Sequence, residues 1–118
     1  MTLKTSHEKP VYVRIRETIA DAILAGRYSD GDALPSVRAL AADEGANPLT
    51  VAKAYQGFQD EGLVVVRRGV GMFVAEGARA RLANSERDAF IKQEWPEIRA
   101  RMKRLGITPA ELLENERA

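Results

Sequence analysis

The stretch from Leu34 to Val74, LPSVRALAADEGANPLTVAKAYQGFQDEGLVVVRRGVGMFV, contains the pattern that decides the fold of this chain. It holds two short helical patterns, each with its own start and stop signals, and then a β-rich run divided by a Gly-Val-Gly turn. Two helices joined by a tight glycine-containing turn are typical of a helix-turn-helix, and a strand pair directly after them is typical of a winged one. The stretch therefore predicts a winged helix-turn-helix.

Capping residues place the ends of the two helices. Ser36 can cap the first helix, because its hydroxyl can accept a hydrogen bond from an unpaired amide of the first turn. Gly45 can end that helix in a left-handed conformation that other residues disfavour. Asn47 and Pro48 open the second helix, since Asn is a preferred cap and Pro at the first helical position loses no intrahelical hydrogen bond. Gly62 closes it.

The second helix has two different faces at about 3.6 residues per turn. One face is apolar and should lie against the core; it consists of Val51, Ala54, Tyr55 and Phe58. The other face is small and carries one hydroxyl and one cation; it consists of Leu49, Thr50, Lys53 and Gly57. Because Gly costs roughly 1 kcal/mol relative to Ala in a helix interior, we interpret this small face as one that approaches another surface closely. Asn47 to Gln59 is accordingly predicted to be a recognition helix for the DNA major groove.

After the helix-turn-helix, two strands are predicted at Leu63–Arg67 and Met72–Ala75. They are joined by a turn at Arg68–Gly71. The adjacent Arg67 and Arg68 could simply increase the solubility of the hairpin. On a wing they could instead lie along the DNA backbone, and of the two we favour Arg68 for that contact.

The segment before the stretch predicts one more helix, from Val11 to a stop at Gly26. Its apolar positions repeat every four residues and form a stripe that we assign to the core. Tyr12 and Arg14 on this helix could reach a phosphate, as residues next to a recognition helix often do. The preceding residues form a polar leader that contains His7, the only histidine.

Three segments, LPSVRALA, GANPLTVAKAYQGFQDEGL and RRGVGMFV, together resemble the winged helix-turn-helix of the GntR family of bacterial transcription regulators. The Asn-Pro-x-Thr-Val-x-Lys-Ala-Tyr pattern is similar to that of its YtrA-like subfamily. The resemblance covers roughly residues 9–74 and implies a sequence-specific DNA-binding regulator, a repressor by family analogy. It implies DNA contacts at Arg38, Asn47, Pro48, Thr50, Lys53, Arg68 and Gly69, and our candidate set also includes Ser36. Val70 departs from the family pattern, because the wing often carries Lys or another polar residue there.

Two of these cations have alternative interpretations. Arg38 lies in the first turn of its helix, where the helix dipole favours anions. It could form a salt bridge with Asp32 or Asp43, or it could contact a DNA phosphate or a guanine edge. Lys53 could be an ordinary solvated lysine or a DNA contact. The family resemblance favours DNA contact for Arg38, and the position of Lys53 beside Thr50 on the small outward face favours DNA contact for Lys53.

The C-terminal part predicts further helices and an apolar seam. Residues 79–105 read as a helix interrupted at Trp95-Pro96, because Pro removes a helical hydrogen bond. The seam residues follow a 4-3-4-3 spacing, typical of a coiled coil: Ile91, Trp95, Ile98, Met102 and Leu105. Thr108-Pro-Ala-Glu111 is a capping box for a last short helix. The seam could pack on the protein's own wing domain, but we favour a twofold dimer, since about forty residues are too few for an independent core.

Composition sets the remaining limits. The chain has 118 residues, no Cys and a net charge of +1, so disulfides and thiolate metal sites are excluded. We expect a DNA-binding domain at 10–75 and a helical dimerisation segment at 78–118, in a mainly α fold with a small β-hairpin. A single His without Cys argues against an enzyme, and we expect no cofactor, no metal and no membrane span, with a cytoplasmic location. The partners are then an operator in double-stranded DNA, a second copy of the chain and a small-molecule effector that the sequence leaves open.

The charge of the predicted DNA-binding part is not itself basic. From Pro10 to Ala75 there are seven Lys and Arg residues against eight Asp and Glu residues, a local balance of −1. A general nucleic-acid binder would be more basic. The DNA-binding prediction therefore depends on where the cations stand rather than on how many there are.

Overall fold

The computed structural model describes residues Lys9 to Arg117, so the leader with His7 lies outside the described residues. Along that range the elements follow in the order α1 Val11–Leu24, α2 Val37–Glu44, α3 Pro48–Asp60, β1 Val64–Arg67, β2 Gly71–Val74, α4 Ala78–Ala89, a π-helical segment Phe90–Glu94, α5 Trp95–Leu105 and α6 Pro109–Arg117. They form two compact units, one ending at Ala83 and the other beginning at Asn84. The prediction of a mainly helical fold with a small β-hairpin is confirmed.

The caps of α2 and α3 form as their sequences predict. The Ala39 amide donates to Ser36 Oγ at 3.1 Å, and Gly45 ends α2 in the left-handed region with φ of 61°. The Leu49 amide donates to Asn47 Oδ1 at 2.8 Å, and Pro48 is the first residue of α3. These local hydrogen bonds fix the turn between the two helices.

The hairpin is antiparallel and gains a short third segment. Val64 pairs with Val74 and Arg67 with Gly71, so β1 is one residue shorter than predicted and β2 begins one residue earlier. Ala33 forms an isolated bridge to Phe73 on the other edge of β2. The Leu34 amide donates to the Met72 carbonyl at 2.8 Å, and this bond ties the entry of α2 to the wing.

The core of the first unit lies between α1, α2, α3 and the hairpin, with the start of α4 closing it. Its buried residues are Ile15, Ile19, Ala20, Ile23, Leu34, Leu40, Ala41, Val51, Ala54, Tyr55, Phe58, Leu63, Val64, Val74, Ala75, Ala78 and Leu82. Ala78 and Leu82 are fully buried. The first turns of α4 are thus part of the core of the winged unit.

The start of α4 is also held by hydrogen bonds to the winged unit. The Gly77 amide donates to Asp30 Oδ2 at 2.7 Å, and Arg79 Nε donates to the Leu24 carbonyl at 3.1 Å. Arg81 Nη2 donates to the Gly62 carbonyl just after α3. These bonds fix where α4 begins relative to α1 and α3.

The predicted interruption near Pro96 takes the form of a π-helical segment rather than a break. The Trp95 amide donates to the Phe90 carbonyl, five residues back, instead of to the residue four back. Pro96 has no amide hydrogen, and its ring would clash with the carbonyl four residues earlier in a regular α-helix. The wider π turn accommodates the proline while the helix continues into α5.

The last helix begins with half of the predicted capping box. The Glu111 amide donates to Thr108 Oγ1 at 3.2 Å, and Gly106 ends α5 in the left-handed region with φ of 70°. The sequence signals for these two helix ends are confirmed.

Candidate nucleic-acid interface

α3 turns its predicted core face inward. Val51, Ala54, Tyr55 and Phe58 are all buried. Tyr55 Oη donates to the Pro35 carbonyl at 2.6 Å, which holds α3 against the entry of α2. Burial raises the pKa of Tyr55, and the neighbouring Tyr28 raises it further, so this hydroxyl keeps its proton. The orientation of the opposite face of α3 is thereby determined.

The outward face of α3 is centred on three side chains. Leu49 is 73% exposed, and Lys53 and Gln56 are also exposed. Thr50 and Gly57 are half-buried and lie toward one flank of this face. The sequence placed Leu49 on this face without making it a DNA-binding candidate, and it did not single out Gln56. An apolar side chain can contact a thymine methyl and Gln can pair with adenine, although Gln56 Nε2 here donates to Asp60 Oδ1 at 2.9 Å. Their helical positions beside Lys53 were the signal that could have identified them.

The space beside Gly57 is already filled by the protein itself. A Cβ atom placed on Gly57 would lie 3.1 Å from Tyr12 Oη of α1. The expectation that Gly57 leaves room for another molecule is therefore wrong. The glycine instead allows a side chain of α1 to approach the backbone of α3.

Arg38 stands exposed in the first turn of α2. Among the residues that the structure describes it forms no ion pair and no side-chain hydrogen bond. Asp32, one of the two alternative partners, accepts a hydrogen bond from the Ser29 amide at 2.8 Å instead. The salt-bridge alternative for Arg38 is not formed, and its guanidinium is available at the start of the helix.

The two arginines of the wing differ in their surroundings. The Arg67 guanidinium lies over the Phe73 ring, 5.0 Å from its centroid. Arg68 is exposed and has no partner within Lys9–Arg117. Gly69 turns the chain with φ of 78°, and Val70 beside it is 73% exposed. The wing tip therefore presents one free cation and one apolar side chain.

The predicted site residues thus divide into caps and free side chains. Ser36 and Asn47 cap helices, and Pro48 and Gly69 shape the backbone. Arg38, Lys53 and Arg68 are exposed cations, carried by α2, α3 and the hairpin turn, that have no partner in the described part of the chain. Ion pairs do form elsewhere, between Lys9 and Glu17, Arg16 and Glu61, and Lys92 and Asp88. The free cations suit a polyanionic surface, because internal pairing would have to be broken before a paired cation could bind one.

Other kinds of site are not formed by the described residues. They contain no group of three or more His, Cys, Asp or Glu side chains arranged to hold a metal ion. In the same part of the chain we find no helix with the length and apolar character that a membrane span requires.

Comparison with known proteins adds a family match over the winged unit. The family model described as "Bacterial regulatory proteins, gntR family" matches residues 11–74. The uncharacterized HTH-type transcriptional regulator YhcF of Bacillus subtilis is 34% identical over 106 residues, which span 90% of this chain and 86% of YhcF. The HTH-type transcriptional repressor YtrA of Bacillus subtilis is 36% identical over 89 residues, which span 75% of this chain and 68% of YtrA.

Solved structures with the same fold come from similar proteins. A GntR family transcriptional regulator from Listeria monocytogenes superposes with a TM-score of 0.75 at 29% identity, covering 96% of this chain and 97% of the other. AraR(DBD) in complex with operator ORR3 superposes with a TM-score of 0.59 at 27% identity, covering 64% of this chain and 90% of the other.

Proposed function

We propose that this chain, which belongs to the GntR family of bacterial regulatory proteins, represses transcription as a homodimer bound to a pseudo-palindromic operator. It is a YtrA-like, DNA-binding transcriptional regulator with a winged-helix fold, and it is not an enzyme.

The observation that carries the DNA-binding residues is that α2, α3 and the hairpin turn each present an exposed cation, at Arg38, Lys53 and Arg68, that has no partner among the described residues. Lys53 on the outward face of α3 would enter the major groove and contact a base edge or a phosphate. Arg38 and the first amides of α2 would bind a backbone phosphate, since a helix N-terminus favours anions. Arg68 would follow the backbone from the wing. Each of these side chains is exposed and has no internal partner among the described residues.

The remaining candidates would support these contacts. Ser36 Oγ accepts a hydrogen bond from the Ala39 amide, which leaves its own hydroxyl hydrogen free to donate to a phosphate. Asn47 and Pro48 set the start of α3, and Thr50 stands on its flank beside Lys53. Gly69 gives the wing a turn that other residues disfavour.

The homodimer is proposed from the apolar surface of the second unit. In Asn84–Arg117 the exposed large apolar residues are Phe90, Ile91, Ile98, Leu105, Leu112 and Leu113. Three of them, Ile91, Ile98 and Leu105, belong to the predicted seam. A second copy of the chain would remove this surface from water and present two recognition helices to half-sites about 34–36 Å apart. We assign residues 10–75 to DNA binding, and within the predicted dimerisation segment 78–118 we place the dimer surface from Asn84 onward, because Ala78 and Leu82 are buried in the core of the winged unit.

Two lines of similarity support a repressor on an operator. YtrA, a relative over three quarters of this chain, is named a transcriptional repressor, and AraR(DBD) has been solved in complex with an operator. Binding to the chromosome of a bacterium would place the protein in the cytoplasm, and a small-molecule effector, if one exists, would be a further partner.

The proposal is tested by selecting a binding site from a random duplex pool and titrating variants against it. Arg38→Ala, Lys53→Ala and Arg68→Ala should each weaken binding to the selected duplex. Arg27→Ala is the matched control, because it removes an exposed cation outside α2, α3 and the wing. Unchanged affinity in all three variants would contradict the assignment of this surface to DNA.

A further inference from the structure

Gly57 is a helical glycine without a conformational reason to be one. The glycines with positive φ are Gly26, Gly31, Gly45, Gly62, Gly69, Gly71, Gly77 and Gly106, and Gly57 is not among them. Gly is one of the least favourable residues in a helix interior. Among the described residues, and apart from the backbone of α3 and the adjacent residues, only Tyr12 Oη stands within 4 Å of the position that a Cβ atom would take, at 3.1 Å. The glycine is therefore explained by the close approach of this one hydroxyl.

The position of α1 along α3 is fixed by contacts of Arg16. Arg16 lies one turn further along the same helix face and donates to both carboxylate oxygens of Glu61, at 2.8 and 3.1 Å. The Arg16 guanidinium also lies over the Phe58 ring, 4.7 Å from its centroid. α1 and α3 thus run side by side in a fixed register, in which Tyr12 lies beside Gly57 and Arg16 beside Glu61.

The Tyr12 hydroxyl nevertheless has no hydrogen-bond partner in the part of the chain that the structure describes. The side chain remains partly exposed. A phenol hydroxyl can donate one hydrogen bond, and here it is positioned one helical turn beyond Lys53, on the flank of the recognition helix. A donor at the flank would meet the phosphate backbone that borders the groove, whereas the centre of the face would meet base edges.

We propose that Tyr12 donates a hydrogen bond to a DNA phosphate at the edge of the groove that α3 occupies, and that Gly57 is the residue that admits it. This inference rests on the proposed placement of α3 in the groove. It adds a neutral contact from α1 to the cationic contacts of α2, α3 and the wing. A neutral contact contributes affinity for every sequence and displaces no counterion.

The test compares variants on the duplex selected with the wild-type protein and on an unrelated duplex of the same length. Tyr12→Phe removes only the hydroxyl and keeps the ring. It should weaken binding to both duplexes by the same factor, about tenfold for a dimer with one such bond in each protomer. The slope of log Kd against log salt should stay that of the wild type, and thermal melting should confirm an intact fold.

Gly57→Ala supplies the second variant. The added methyl group would stand 3.1 Å from Tyr12 Oη, so the hydroxyl would have to shift by a few tenths of an ångström, and binding should weaken by no more than in Tyr12→Phe. In the Tyr12→Phe background the same substitution should cause no further loss, because the atom that the methyl would meet is absent. Additive losses from the two substitutions would overturn the assignment of Gly57.

Lys53→Ala distinguishes failure of this inference from failure of the proposed function. If Lys53→Ala weakens binding and Tyr12→Phe does not, the Tyr12 contact is overturned and the placement of α3 stands. If neither variant weakens binding, the placement of α3 is itself wrong. A Tyr12→Phe loss confined to the selected duplex would overturn the phosphate contact in favour of a base contact.

Discussion

At the scale of single residues, Tyr55 shows how one buried polar group stabilises the recognition helix. It is 3% exposed, and its hydroxyl donates to the Pro35 carbonyl across twenty positions of the chain. Burial, and to a lesser extent Tyr28, raises the pKa of Tyr55. The folded protein therefore holds this proton more tightly than the unfolded chain does, and stability must depend on pH in the alkaline range.

The sign of that dependence follows from the proton count. Below about pH 10, the ordinary value for tyrosine, both states hold the proton and the contribution is complete. Above it the unfolded chain loses the proton first, so the free energy of unfolding should fall by about 1.4 kcal/mol per pH unit from this group. Urea denaturation from pH 9 to pH 11 measures this decline in the free energy of unfolding. Tyr55→Phe should start about 1 kcal/mol lower through the lost hydrogen bond and should show a shallower decline.

Leu49 illustrates the opposite case, a large apolar residue that contributes little to folding. Leu49→Ala should leave the free energy of unfolding within about 0.5 kcal/mol of the wild type, because the side chain is mostly in water. It should weaken binding to the selected duplex, since α3 would lose an apolar contact. Leu63→Ala is the matched control: it removes a buried leucine and should destabilise the fold by about 2–5 kcal/mol. Denaturation and duplex titration of both variants check the pair, and a large loss of stability in Leu49→Ala would contradict the exposure of this face.

At the scale of elements, the first turns of α4 complete the winged unit although they follow the wing in sequence. Leu82 is fully buried in the core of the first unit. Leu82→Ala should therefore lower the free energy of unfolding by about 2–5 kcal/mol. Leu112→Ala on α6, where the side chain is half exposed, should have a much smaller effect. Equal effects in the two variants, measured by urea denaturation, would mean that α4 does not belong to the core.

The start of α4 also determines where the chain can be truncated without loss of the fold of the winged unit. A chain ending at Ala83 keeps Ala78 and Leu82 and the hydrogen bonds of Asp30, Arg79 and Arg81, so it should fold. A chain ending at Ala75 loses all of them and should be less stable. Thermal melting curves of the two truncated chains test this predicted difference in stability.

At the scale of the whole molecule, the dimer is expected to determine the affinity. The full-length protein should sediment as a dimer at micromolar concentration, and the chain ending at Ala83 as a monomer. The chain ending at Ala83 should bind the selected duplex more weakly than the full-length protein by orders of magnitude. The reason is that two linked half-sites gain an effective concentration that a single half-site lacks. Analytical ultracentrifugation and duplex titration check both statements.

Seam variants test the same prediction without a truncation. Ile98 and Leu105 are exposed in one protomer, whereas Met102 is only 7% exposed. Ile98→Asp and Leu105→Asp are therefore the informative changes, since a charge at Met102 could disturb the fold of the protomer itself. Glu97→Asp is a control on the same helix that adds no charge. A full-length protein that stays monomeric, or Asp variants that remain dimeric, would remove these residues from the interface.

The salt dependence of binding measures how many DNA phosphates the cations of the protein contact. With about three phosphate-contacting cations in each protomer of a dimer, the slope of log K against log salt should be near −5, at about −0.9 per contact. Titration of the selected duplex between low and high salt measures it. A slope near −10 would mean that the basic surface extends well beyond Arg38, Lys53 and Arg68.

Local signals in the sequence determined the elements and most of their ends. Ser36, Gly45, Asn47, Pro48 and Gly62 act within a few residues of themselves, through a capping bond, a left-handed turn or a missing amide. Such effects can be predicted without knowing the fold, and the structure forms them as expected. The alternation and spacing of apolar residues likewise determined the inward face of α3.

Only the tertiary structure decided which distant residues meet. Tyr12 meets Gly57 across forty-four intervening residues, Leu82 enters the core from beyond the wing, and a π turn rather than a break accommodates Pro96. A sequence pattern shows which face of an element is apolar, but not which element covers it. That choice depends on how the elements pack together, because side chains far apart in the chain come into contact only when the whole unit has folded.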